Sequence, residues 1–237
     1  MKFRVSLVLI VAALSLAAGP AAISPDAIVD NYLSASREQD RSLKGATMDV
    51  EFAASLPKMK KHGRLHALRR ISPLGFIKYE KLRFEGDSTV NSQVITRYLK
   101  AEAEAQTHQA DPSVAVTPLN YQFRYKGLNL LDGRQVHVFQ VSPKRKGPGL
   151  FTGEIWIDAV TCHRVRELGY LVKSPSIFLK KVAFIRKYEI RDGVSVPRQV
   201  QSVADVRFVG KAELTIDFKN FSIDALKQVS TAEVDGQ

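Results

Sequence analysis

Cysteine is almost missing from this chain: Cys162 is the only one in 237 residues. That excludes an intramolecular disulfide, a zinc site built on cysteine pairs and an all-cysteine cluster. Neither an HExxH helix, a GxSxG elbow nor a glycine-rich phosphate loop occurs. The five histidines, His62, His66, His108, His137 and His163, are scattered. His62 and His66 stand four apart, but their segment reads as strand, where that step spans about 13 Å, too far for one ion. Alternation of strands with crossover helices is lacking too, which excludes a doubly wound parallel sheet. No metal, no cofactor and no enzymatic reaction is expected from these residues.

What is present begins with a leader. Lys2 and Arg4 precede the apolar run Val5–Ala18, broken only by Ser6 and Ser15, and small residues follow to Ala22. A run of 14 residues falls short of the roughly 20 that span a bilayer as a helix. The order matches a cleavable export signal over residues 1–22. Residues 23–230 then form one domain, and 231–237, with no apolar periodicity, a flexible tail.

Positive charge is in excess, with 35 Lys and Arg against 24 Asp and Glu. Residues 57–110 hold 11 basic and 5 acidic side chains and 143–192 hold the same, whereas 212–237 hold 2 and 5, so the charge is regional. An exported chain without a recognition helix or finger spacing does not read nucleic acid with it. Anionic membrane head groups or an acidic envelope protein suit it better. The exposed tip Lys144-Arg145-Lys146, between Pro143 and Gly147, is a candidate for such contact, and so are Arg64, Arg69 and Arg70.

Ser24-Pro25-Asp26 starts a helix, with Ser24 as cap, Pro25 at the first helical position and Asp26 beside the unpaired N–H groups. Ile28 and Tyr32 give it one apolar side to about Ser36. Val90, Val94, Tyr98, Ala101 and Ala105 predict a second helix over Thr89–Ala105. Elsewhere the period is two. Met48, Val50 and Phe52 alternate with Thr47, Asp49 and Glu51, and Asp192-Gly193 joins two long alternating runs as a hairpin. Nine or ten antiparallel strands result. A sheet so wide is expected to curl under its own twist.

The order of these elements resembles the periplasmic lipoprotein carriers of the LolA/LolB type, the outer-membrane lipoprotein-sorting proteins and their RseB-like relatives. The similarity rests on the helix at Ser24-Pro25-Asp26, the Gly63-Arg64-Leu65 strand running to a Pro73 turn, and the stretch Phe151-Thr152-Gly153-Glu154-Ile155-Trp156-Ile157-Asp158. A late hairpin from Lys173 to Tyr188 with Val196-Pro197-Arg198 completes it. The resemblance implies a mainly β fold with two helices. Its strongly curved antiparallel sheet would form an unclosed half-barrel covered by a helical lid, over an apolar cavity for acyl chains. It also implies an early-strand arginine, here Arg64, Arg69 or Arg70, that holds the closed state.

Burying an acyl chain of 16 carbons is worth on the order of 13 kcal/mol at about 0.8 per CH₂, which demands a sizeable apolar lining. The candidates are Val50, Phe52, Leu65, Phe76, Phe84, Phe123, Tyr125, Val138, Ile157, Phe184, Tyr188, Val200 and Ile216. Two functions are thereby expected. The first is a carrier that shelters an acylated lipoprotein or lipid and hands it to an inner- or outer-membrane partner. The alternative is a non-enzymatic regulatory or structural envelope protein that binds a protein partner while its own side chains fill the interior.

Overall fold

The structure, a computed structural model, describes residues 23–109, 114–174, 179–207 and 210–223. The expected export signal and the expected tail lie outside these residues. No helix among the described residues is long and apolar enough to cross a membrane.

Helix α1 spans Pro25–Ser42. Its start is as the sequence predicts, Ser24 Oγ accepting from the Ala27 N–H at 3.2 Å with Pro25 next in line. It runs on past Ser36 because Arg37-Glu38-Gln39 are good helix formers that ask for no burial. The second helical stretch has three contiguous parts: α2 (Ser88–Val90), a π-helical segment (Asn91–Thr96) and α3 (Arg97–Gln109). Asp87 caps it, accepting from the N–H groups of Thr89 and Val90 at 2.9 and 3.1 Å.

The described residues also form ten strands: β1 (Ala46–Leu56), β2 (Lys61–Ile71), β3 (Ile77–Gly86), β4 (Tyr121–Leu131), β5 (Arg134–Pro143), β6 (Phe151–Asp158), β7 (Arg164–Leu171), β8 (Leu179–Arg191), β9 (Val194–Val206) and β10 (Gly210–Ile223). All pairings are antiparallel, in the order β3-β2-β1-β10-β9-β8-β7-β6-β5-β4. The β8–β9 hairpin turns at Asp192-Gly193, both with positive φ, which a two-residue hairpin loop of this hand requires.

The expected strongly curved half-barrel under a helical lid is not formed. Among the described residues the sheet is open and not strongly curved: β3 and β4 lie at its two ends, and each pairs on one side only. The physical reason is the division of the core. Helix α1 packs Ile28, Val29 and Tyr32 onto β4–β8, among Tyr121, Phe139, Phe151, Ile155 and Phe184. The second helical stretch packs Val90 and Ile95 onto β1, β2 and β10, among Phe52, Leu65 and Ile216. Each helix closes its own two-layer patch of sheet, so no shared interior draws the two ends together.

Candidate functional site

Cross-strand pairs trace one row of side chains across all ten strands. From β3 to β4 the row reads Phe84, Leu65, Phe52, Ile216, Val200, Arg186, Glu167, Ile155, Phe139 and Tyr125. Residues directly opposite on paired strands share a face, so this row defines the face that the helices cover. The left part, Leu65, Phe52 and Ile216, is sealed by the second helical stretch, and the right part, Ile155 and Phe139, by α1. Between the two patches Val200 and Arg186 stay half-exposed.

A charged cluster sits at that junction. Glu167 is 1 % exposed. Its carboxylate accepts from the Arg186 guanidinium at 3.1 Å and from the Tyr188 hydroxyl at 3.4 Å, and lies 3.5 Å from Arg164. Burial alone would push this carboxyl up, but Arg164 and Arg186 together hold it below the ordinary carboxylate range. The Arg164 guanidinium lies over the Tyr188 ring, 4.9 Å from its centroid. Tyr32, from α1, faces the same charges, and burial pushes its phenol and that of Tyr188 up. The cluster thus favours an ionised Glu167 and neutral phenols at Tyr32 and Tyr188. It can fix a helix or an anionic group in place.

A second clasp ties α3 to the other end of the sheet. Glu102 accepts from Tyr79 Oη at 2.6 Å and stands 3.6 Å from Arg69. Burial, then the Glu102 charge, raises the Tyr79 pKa strongly. Tyr79 and Tyr98 both meet Phe52 edge-on, at 5.7 and 5.9 Å between centroids. Of the three early arginines only Arg69 lies on the helix-covered face. Arg64 and Arg70 project from the other side of β2, Arg70 to Glu80 at 3.5 Å.

The proposed acyl-lining residues separate into groups. Val50, Phe52, Leu65 and Ile216 are buried under the second helical stretch, and Ile157 and Phe184 under α1 with half-buried Phe123 beside them. Val138 is buried on the opposite face with Trp156, Val136 and Val165. Tyr188 belongs to the charged cluster. Phe76, Phe84 and Tyr125 are exposed. Lys144, Arg145 and Lys146 form an exposed loop after β5, with Lys144 Nζ donating to the Pro118 carbonyl.

Other chemistry-bearing groups are structural. Asp158, nearly fully buried, accepts from the N–H groups of Val160 and Thr161 at 3.1 and 2.8 Å and so closes the turn after β6. Cys162, half-buried, has its thiol pushed up by burial and by Asp158, away from the thiolate a nucleophile needs. Among the described residues no group of three or more His, Cys, Asp or Glu side chains is placed to hold a metal ion. Two grooves lie on the far side of the sheet. One, of about 400 Å³, is lined by Asp49, Glu51, His66, Lys81, Arg83 and Lys219 among others. The other, of about 270 Å³, runs along Ser55, His62, Arg64 and Glu213.

No family model matches the chain, and no curated protein matches it. Among solved structures it is similar to a DUF1329 family protein from Desulfovibrio piger, at 12% identity over 83% of this chain and 93% of that one, with a TM-score of 0.37. It is also similar to a LolA superfamily protein from Nitrosomonas europaea, at 8% identity over 85% and 94%, with a TM-score of 0.38. A third likeness is to the MucA/MucB complex of Pseudomonas aeruginosa, at 13% identity over 81% and 93%, with a TM-score of 0.29.

Proposed function

We propose that this is a non-catalytic protein of the bacterial envelope, exported by residues 1–22, that works by holding a protein partner. One observation carries the reading: the chain's own side chains occupy the face on which a carrier would hold its cargo. Phe52, Leu65, Ile216, Ile155 and Phe139 are all at most 1 % exposed beneath the two helices. Among the described residues the grooves open to another molecule lie on the far side of the sheet and are lined largely by charged and polar side chains, and the two end strands each have one unpaired edge.

The acyl-carrier reading rests on a narrower feature, the strip between the two helix-covered patches where Val200 and Arg186 remain half-exposed. The two readings separate in one experiment. Purified mature protein is extracted with solvent for mass spectrometry and titrated with a fluorescent fatty acid. Partner binding expects no co-purifying lipid and no saturable uptake. Saturable uptake that Val200→Glu abolishes, with circular dichroism unchanged, overturns that reading in favour of the carrier.

A further inference from the structure

Among the described residues strand β3 is a sheet edge that pairs with β2 alone. A bulge interrupts it where Lys81 takes a φ of 53°, and on either side of that bulge, from Lys78 onward, alternate backbone N–H and C=O groups face away from β2. Five of its ten residues are charged, which discourages pairing with a like-charged edge, yet the strand also exposes Leu82 at 49 % and Phe84 at 43 %. Those two apolar groups lie within a strongly basic strip. The β2–β3 hairpin, residues 61–86, carries Lys61, Arg64, Arg69, Arg70, Lys78, Lys81 and Arg83 against Glu80 and Glu85 only.

The two acids are already engaged. Glu85 accepts from Arg83 at 2.6 Å and Glu80 stands 3.5 Å from Arg70. Lys78 and Lys81 are exposed and form no ion pair among the described residues. Lys81 and Arg83 also line the 400 Å³ groove on the far face, in which Glu51 is taken by Lys219 and Asp49 by Asn220.

We propose that β3 binds an extended acidic peptide segment of a partner protein as an eleventh, added strand. This rests on the partner-binding reading and names the site and the chemistry of the occupant. Main-chain hydrogen bonds would supply the pairing, Leu82 and Phe84 would take apolar side chains at alternate positions of the peptide, and Lys78 and Lys81 would meet its carboxylates. A second copy of this chain fits poorly, because edge-to-edge pairing would set Lys78, Lys81 and Arg83 against the same residues.

The probes are three fluorescein-labelled decapeptides: alternating Val-Glu, alternating Val-Lys, and Val-Glu N-methylated at alternate residues. Binding to the mature chain is read by anisotropy. The Val-Glu peptide binds, weakens as salt rises, and loses about tenfold or more in affinity when Lys78→Glu and Lys81→Glu are combined. The charge-matched variant Lys144→Glu with Lys146→Glu leaves it unchanged. Hydrogen exchange shows added protection at residues 79–86. Equal binding of the N-methylated peptide, equal binding of Val-Lys, or protection confined to β4 overturns the proposal. So does sedimentation with phosphatidylglycerol vesicles that depends on Lys78 and Lys81 when no peptide binds.

A photo-crosslinking residue then distinguishes the two levels. With it placed at Leu82, Leu128 or Arg145 in exporting cells, a discrete protein adduct from position 128 or 145 but not 82 removes β3 as the site and leaves a protein partner standing. No adduct from any position, together with saturable fatty-acid uptake, removes both.

Discussion

Arg186 and Glu167 stand directly opposite each other on β8 and β7, with nitrogen and oxygen 3.1 Å apart in the middle of an otherwise apolar row. Arg164 completes the neutralisation from the same strand as Glu167. Glu167→Gln keeps the shape and leaves both arginines without their carboxylate. The expected loss is about 2–3 kcal/mol, at the low end for a buried pair because Arg186 is partly solvated. Urea unfolding at pH 7 measures it.

The same residue fixes an acid limb. A carboxyl with a folded pKa below its unfolded value of about 4.3 stabilises the fold fully above that pH, and the contribution is lost as pH falls through the folded pKa. Wild type is therefore expected to lose more stability than Glu167→Gln below about pH 4, with a constant gap between them from pH 5 to 7. Parallel denaturation curves that never converge at low pH would show that the carboxylate is not the stabilising element.

Tyr79 sets the opposite limb. Its phenol is stabilised in the neutral form, so its contribution is intact below the unfolded pKa of about 10 and disappears as pH rises beyond it. Tyr79→Phe gives up the hydrogen bond to Glu102, about 1 kcal/mol at pH 7. Thermal melts from pH 8 to 11 should find wild type falling more steeply than the variant above about pH 10. Absorbance at 295 nm should place the Tyr79 titration later than that of exposed tyrosines.

Two glycines fail for different reasons. Gly153 and Gly169 face each other across β6 and β7, and a Cβ on Gly153 would lie 1.9 Å from the Leu168 carbonyl oxygen, a backbone atom. Gly153→Ala is therefore expected to cost about 3 kcal/mol or more through forced strand separation. Gly193 has open space around it, and only its φ of +78° resists a side chain, so Gly193→Ala should cost about 1 kcal/mol. Differential scanning calorimetry of the pair tests the ranking.

Asp158→Ala removes the acceptor for Val160 and Thr161 in the turn after β6. Three hydrogen bonds to the carboxylate, counting that from the Thr161 hydroxyl, and its ion pair with Arg134 are lost, for an expected cost of about 3 kcal/mol, and Asp158→Asn should recover part of it. The urea midpoint reads both.

The strands and the start of α1 were legible because local chemistry decides them. Met48, Val50 and Phe52 alternate as they pack, Asp192-Gly193 supplies the two positive φ values of its turn, and Ser24 caps as its position suggests. Glu167 and Arg186 were missed although they sit in phase with apolar residues of their own strands. A charge in phase with a buried face is the available signal, but its partner lies 19 residues away and only the strand register brings them together. Val138 shows why the helix-covered face is hard to pick from the sequence. Both faces of β5 bury aliphatic groups, so alternation there does not say which face meets a helix. Sheet curvature was illegible for a different reason. Strand count and twist favour curling, but the division of the helices between two patches leaves the ends apart, and no local residue pattern encodes that division.

The π-helical segment Asn91–Thr96 sets the angular phase of everything after it. Its first residue, Asn91, sits against Gly63 with its amide donating to the Glu85 carbonyl at 3.0 Å, and the turns that follow the segment bring Tyr98 to Phe52 and Glu102 to Arg69. Excising one residue from that stretch would restore plain α-helical winding and rotate the following turns by roughly 100° about the helix axis. Tyr98 and Glu102 would then swing off the sheet, so this short chain length, more than any single contact, keys the helix to the strands beneath it.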